Sequence, residues 1–180
     1  MAKLCIKDIC FMPAASNKKG FTLIEILIVV VILGILASVI IPKFSNANMQ
    51  ARENMLLENL RILRTQIATY RAQHWDVSPG YDAATGNPGE QTFLDQMTMF
   101  TDEKGNINAE GSAVFQYCPY LSRMPENPLN NLSSIMVIAD GAALPVAPDN
   151  STGWIYKPSE MVIRANSPGS GINLRDYYKY

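Results

Sequence analysis

Between Phe21 and Ile41 the chain carries a single charged residue, Glu25, and from Ile26 to Pro42 it carries none. At about 1.5 Å per residue, a helix over this run spans roughly 31 Å, close to the roughly 30 Å of a bilayer's hydrocarbon layer. The run is Ile, Leu and Val with Gly34, Ala37 and Ser38, apolar all round rather than along one stripe. That pattern predicts a membrane-crossing helix. A secretory signal would have a shorter apolar centre, about 7–15 residues, before a small-residue exit. A buried helix of a soluble core would also be shorter.

Charge is divided at the same place. Residues 1–20 hold Lys3, Lys7, Lys18 and Lys19 against Asp8, a net of +3, while the remainder carries −4, giving −1 overall. Positive flanks stay cytoplasmic, so the leader is expected inside and the residues beyond Lys43 outside, with membrane lipid as a partner. A mildly acidic chain with pI near 5.8 offers no basic face, so no nucleic-acid partner is expected.

The junction reads Lys18-Lys19-Gly20-Phe21-Thr22-Leu23-Ile24-Glu25-Ile26-Leu27. Gly20 has no Cβ, which suits an extended backbone in a tight protease cleft and separates leader from helix. Glu25 is the anomaly, because a carboxylate within a membrane helix costs at least about 2–3 kcal/mol and is rarely left without a partner. This stretch resembles the cleavage and methylation signal of type IV prepilins and pseudopilins. The resemblance implies cleavage of the Gly20–Phe21 bond by a prepilin peptidase and N-methylation of Phe21 by the same enzyme, with Lys18 and Lys19 as the basic end of the leader. It also implies that Glu25 pairs with the Phe21 amine of a neighbouring subunit and sets register during assembly. Twenty residues is a long leader for that family; a start at Met12 would shorten it to nine, and Cys5 and Cys10 fall in the leader.

Helical periodicity continues beyond the membrane. Leu56, Leu60, Leu63, Ile67 and Tyr70 recur at spacings of 4, 3, 4 and 3, one face of an amphipathic helix. One helix from Thr22 to Trp75 is predicted, kinked by Pro42 at the membrane exit. Its apolar stripe needs a cover, and residues 76–180 are assigned that role. Asp76 to Glu90 reads as a loop, and Thr92 to Phe100 as a short helix presenting Phe93, Met97 and Phe100. Asp102 to Gly105 is a turn. A proline-spaced extended stretch follows, and Ser134–Ala139, Gly153–Tyr156 and Met161–Ala165 are strand candidates. The expected fold is α+β and pilin-like, a long helix on a small, mostly antiparallel sheet. Its parts are a cleaved leader (1–20), a transmembrane half-helix (21–42), an amphipathic half-helix (43–75) and a globular head (76–180).

The head also resembles the major pseudopilin of type II secretion systems, through Tyr70-Arg71-Ala72-Gln73-His74, the Pro119-Tyr120-Leu121 stretch with its later prolines, and Gly153-Trp154-Ile155-Tyr156. That likeness would bring a calcium loop near the C-terminus, but the tail from Ser167 to Asp176 contains one acid, and calcium takes six to eight oxygens. No cofactor is therefore expected. Once the leader is gone Cys118 is the one cysteine left, so the intramolecular disulfide of many pilins has no second thiol.

Catalytic signatures are missing: no His-Glu-x-x-His, Gly-x-Ser-x-Gly or phosphate-loop pattern occurs, and the single histidine, His74, reads as a packing or surface residue. The expectation is a non-enzymatic subunit of a short periplasmic pseudopilus that helps export proteins, anchored in the bacterial inner membrane. Its implied partners are the prepilin peptidase, further copies of itself, minor pseudopilins and an assembly platform driven by a cytoplasmic ATPase. The alternatives are a type IV pilus or competence-type subunit and, from another class, a membrane-anchored exported enzyme.

Overall fold

A continuous apolar run followed by the Leu56–Tyr70 stripe produces α1, Leu23–Gln73, despite Gly34 and Pro42 within it, in a computed structural model that describes residues 20–117 and 119–180, apart from the side chains of Pro42, Phe44 and Ser45. The predicted helix overran the end by two residues. Trp75 and Asp76 adopt left-handed backbone (φ 52° and 66°), and the Asp76 amide donates back to the Arg71 carbonyl at 3.0 Å. Glycine is the usual residue for such a stop; here the Arg71 guanidinium holds the turn instead, binding the Asp76 carboxylate at 2.6 Å and its carbonyl at 2.9 Å.

The chain divides into two compact units at Lys43. In the first, α1 presents exposed apolar side chains on every side and is long and apolar enough to cross a membrane. Its one hydroxyl near the centre, Ser38, donates to the Ile35 carbonyl at 2.7 Å, so that donor is met within the helix.

In the second unit, 44–180, the predicted stripe is the wall of the core: Leu56, Leu60, Leu63, Ile67 and Tyr70 are buried. Helix α2, Glu90–Thr98, adds Phe93 and Met97. A hairpin pairs β1 (Phe100–Thr101) with β2 (Ile107–Asn108). The main sheet has order β3-β4-β5, from Ile135–Val137, Trp154–Lys157 and Val162–Ala165, and every residue of central β4 is buried.

Three details differ from the sequence expectations. The sheet is mixed, since β3 runs parallel to β4 while β4 and β5 are antiparallel. Residues 138–153 form a connection long enough to carry the chain back before β4 begins, which a parallel pair requires. Phe100 lies in β1, because α2 ends at Thr98 and Met99 is already extended. The β1–β2 hairpin was not foreseen; it is two residues per strand, too short for an alternation signal.

Asparagines knit the loops to the sheet. Asn127, fully buried, donates to the Gly153 carbonyl at 2.8 Å and to Ser167 Oγ at 3.0 Å. Asn166, equally buried, donates to Asp149 at 2.7 Å and Thr152 Oγ1 at 3.0 Å, and accepts from the Asp149 amide at 3.0 Å. The Ser151 amide, then the Asn166 amide group and the Ser151 hydroxyl, pull the Asp149 carboxyl down to a pKa of about 2. Gly153 is forced by contact: a Cβ there would lie 2.0 Å from the Leu132 carbonyl oxygen.

Candidate functional site

The predicted processing junction sits at the start of α1. Gly20 to Thr22 lie outside the helix, Gly20 has open space around it, and the Phe21 side chain is 81% exposed. The Gly20–Phe21 bond thus lies just before the helix, beside an exposed side chain. Lys18, Lys19 and the leader cysteines lie outside the described residues, as does Cys118.

Thr22 and Glu25 form a reciprocal cap. The Glu25 amide donates to Thr22 Oγ1 at 3.3 Å, while Glu25 Oε2 accepts the Thr22 amide and hydroxyl, each at 3.0 Å. The helix thus fixes its first turn with the two side chains of a Thr-x-x-Glu capping box. Sequence reasoning missed this second use of Glu25, although the spacing before an apolar run is its usual signature. In the single chain the carboxylate is partnered inside its own helix, at the end where the helix dipole favours a negative charge.

Residue 42 lies within the helical span of α1. His74 is buried: Nδ1 is 2.7 Å from the Tyr70 carbonyl, Nε2 is 3.0 Å from Thr101 Oγ1, and the ring stacks on Tyr70 at 3.8 Å between centroids. Burial lowers its pKa, against opposing pulls from the Tyr70 carbonyl and Asp102. The side chain joins α1 to β1, a packing role. Asp176, the single acid of the tail, is engaged by Lys179 at 2.6 Å and Ser170 at 3.1 Å. Among the described residues no three His, Cys, Asp or Glu side chains come together as a metal cluster.

A second pair went unforeseen. Glu53, on α1, accepts the Tyr180 hydroxyl and, at 3.1 Å, the Ile172 amide, and both bonds hold its pKa below the ordinary carboxylate value. Arg64 Nη2 donates to the Tyr180 main-chain oxygen at 2.5 Å and to the Ile163 carbonyl at 3.2 Å. The tail is thereby tied to the helix at two points.

Residues 15–41 match the family model of the prokaryotic N-terminal methylation motif. The chain is 27% identical over 120 residues to type II secretion system core protein G of Escherichia coli K12, covering 67% of this chain and 72% of that protein. The corresponding protein of Pseudomonas aeruginosa is 28% identical over 122 residues, 64% of this chain and 70% of its own. The type IV major fimbrial protein FimA of Dichelobacter nodosus is 43% identical over 111 residues, 52% of this chain and 71% of FimA. The chain belongs to the type IV pilin-like family. No solved structure matches it. In this pilin-like chain the matched motif contains Lys18, Lys19, Gly20, Phe21 and Glu25, and the Thr22–Glu25 cap lies within its first half.

Proposed function

We propose that the chain is the precursor of a pseudopilin, a non-enzymatic filament subunit of a type II secretion-type machine. Its leader stays in the cytoplasm, the apolar half of α1 anchors it in the inner membrane, and the head faces the periplasm. A prepilin peptidase cuts Gly20–Phe21 and methylates the new Phe21 amine. An assembly platform with a cytoplasmic ATPase then moves the subunit into a short pseudopilus with copies of itself and minor pseudopilins. Glu25 exchanges its bonds to Thr22 for the Phe21 amine of a neighbour, Pro42 gives α1 its bend at the membrane exit, and no cofactor takes part.

The observation that carries this reading is the Gly20–Phe21 bond directly before a capped helix start that is apolar but for Glu25, inside the methylation motif. Similarity to two core G proteins over about two thirds of the chain favours secretion. The similarity to FimA supports a second reading, a type IV pilus subunit. Deleting the gene in its host separates them. Retention of secreted proteins in the periplasm supports the first, and loss of surface fibres with secretion intact supports the second. A deletion without either defect contradicts both.

A further inference from the structure

Along α1 the side chains from 46 to 52 are all exposed, and Glu53 is the first buried residue of the amphipathic half. What covers it is a turn of the tail, Gly171 to Arg175, together with Tyr180. The Ile172 amide donates to Glu53 Oε2 at 3.1 Å, and a Cβ on Gly171 would meet Glu53 Oε1. Main-chain bonds close the turn: the Gly171 amide donates to the Arg175 carbonyl and the Leu174 amide to the Gly171 carbonyl, each at 2.9 Å. Ser170 bridges to Asp176 at its base. Farther along, the tail meets α1 again at Arg64, through the Tyr180 main-chain oxygen. The head therefore begins to cover α1 at this turn, which forms its end nearest Phe44.

The turn exposes apolar side chains that its own bonds do not need. Leu174 is 87% exposed and Ile172 51%, and Leu174 holds a left-handed backbone (φ 58°) that Gly or Asn adopts more readily. Charge at this end is positive. Lys43, Arg52, Arg175 and Lys179 are exposed, whereas Glu53 lies under the turn and Asp176 is paired with Lys179 at 2.6 Å. Arg175 lies over the Tyr180 ring at 4.9 Å and donates to the Lys179 carbonyl at 2.7 Å, with guanidinium donors to spare. From Lys43 to Glu53 is about 15 Å of helix. That is comparable to a headgroup layer, roughly 5–8 Å deep, plus one extended arginine side chain.

We infer that the turn Gly171–Arg175 is a lipid-contact site that rests on the surface of the membrane anchoring α1. Ile172 and Leu174 enter the boundary between headgroups and acyl chains, and Arg175 with Lys179 engages the phosphates of anionic phospholipids. Exposed apolar side chains beside cations are what interfacial binding to an anionic bilayer requires. In the unassembled subunit this contact holds the head against the bilayer, and it is given up when the subunit leaves the membrane. The inference rests on the membrane-anchored reading above, to which it adds the lipid class and the residues that meet it.

The test is amide hydrogen exchange of the full chain, a single copy per nanodisc, in phosphatidylcholine alone and in phosphatidylcholine mixed with phosphatidylglycerol. In the mixed discs the amides of 172–175 are expected to exchange at least about five-fold more slowly than in the neutral ones, the worth of one cation at an anionic surface, and added salt should shrink the difference. Leu174→Asn, which suits the left-handed backbone, and Arg175→Gln should each remove most of the slowing. Peptides from 82–110 should exchange alike in both discs, and unchanged protection of β4 shows that each variant is folded. Equal exchange of the turn in the two discs, or slowing that survives both substitutions, overturns the lipid contact. Slowing that appears only with several chains per disc marks a second copy as the occupant and overturns it as well. If alkaline carbonate strips the chain from cell membranes, it is the anchored reading that fails.

Discussion

Glu53 and Tyr180, 127 positions apart, share a hydrogen bond in which the tyrosine hydroxyl donates to a buried carboxylate on α1. The pair needs Gly171, where a Cβ would sit 2.2 Å from Glu53 Oε1 and 2.6 Å from the Tyr180 hydroxyl. Tail and helix are thus fitted to one another at a point that no local pattern marks.

Tyr180→Phe removes the donor and leaves Glu53 with the Ile172 amide. A loss of about 1–3 kcal/mol is expected for a buried, charged acceptor deprived of a partner. Urea unfolding of the full chain in detergent, followed by tryptophan fluorescence, measures it. Gly171→Ala should cost at least as much, because the obstacle is the pair itself.

The same pair sets two limits in pH. Glu53 has a folded pKa below its ordinary 4.5, so its contribution is complete above that value and is lost as pH falls through the folded one. Tyr180 is pushed up from 10.0 to about 12, chiefly by its bond to Glu53, so its contribution is complete below pH 10 and is lost as pH rises toward 12. Unfolding midpoints of the native chain should decline at both extremes. In Tyr180→Phe the alkaline decline should shrink.

His74 acts in the middle of the range. Its folded pKa lies below 6.5, with burial the main cause, so above pH 6.5 both folded and unfolded states are neutral and the residue adds no slope. Below 6.5 the unfolded chain binds a proton that the folded chain resists, and stability falls until the folded pKa is passed. Urea midpoints between pH 7.5 and 5 should show this decline, and His74→Gln should flatten it while lowering stability throughout.

Gly153→Ala tests the close approach of Leu132 to the start of β4. A Cβ at 2.0 Å from a carbonyl oxygen must move main chain on one side or the other. About 3 kcal/mol of destabilisation is expected, the upper range for overpacking. A thermal midpoint within one degree of the native chain would contradict the geometry.

The parts of the fold legible in the sequence were those with local periodicity. Five stripe residues from Leu56 to Tyr70 and three strand cores declared themselves through spacing and through Ile, Val, Trp and Tyr content. What stayed hidden depended on distant partners: the parallel pairing of Ile135 with Trp154, the buried Asn127 and Asn166 networks, and Glu53 with Tyr180. The stop at Trp75 was hidden because side-chain bonds from Arg71 replace the usual glycine. At the predicted processing junction, Glu25 stands out for its membrane cost, whereas Thr22 is marked only by the Thr-x-x-Glu spacing of a capping box.

Thr22→Ala should therefore weaken the start of α1 by about 1 kcal/mol, as for other lost N-caps, and leave the scissile bond accessible. Glu25→Ala should insert and be cut but assemble poorly. Leader cleavage assayed on both variants, with filament yield alongside, checks the separation of the two roles.

The most direct test of a processed filament subunit is the N-terminus of the mature chain. The full sequence is co-expressed with a prepilin peptidase, purified from membranes and examined by peptide mass spectrometry. The account predicts a chain that starts at Phe21 and carries one methyl group on its amine. A chain that retains Lys18-Lys19-Gly20, or is cut at another bond, contradicts it.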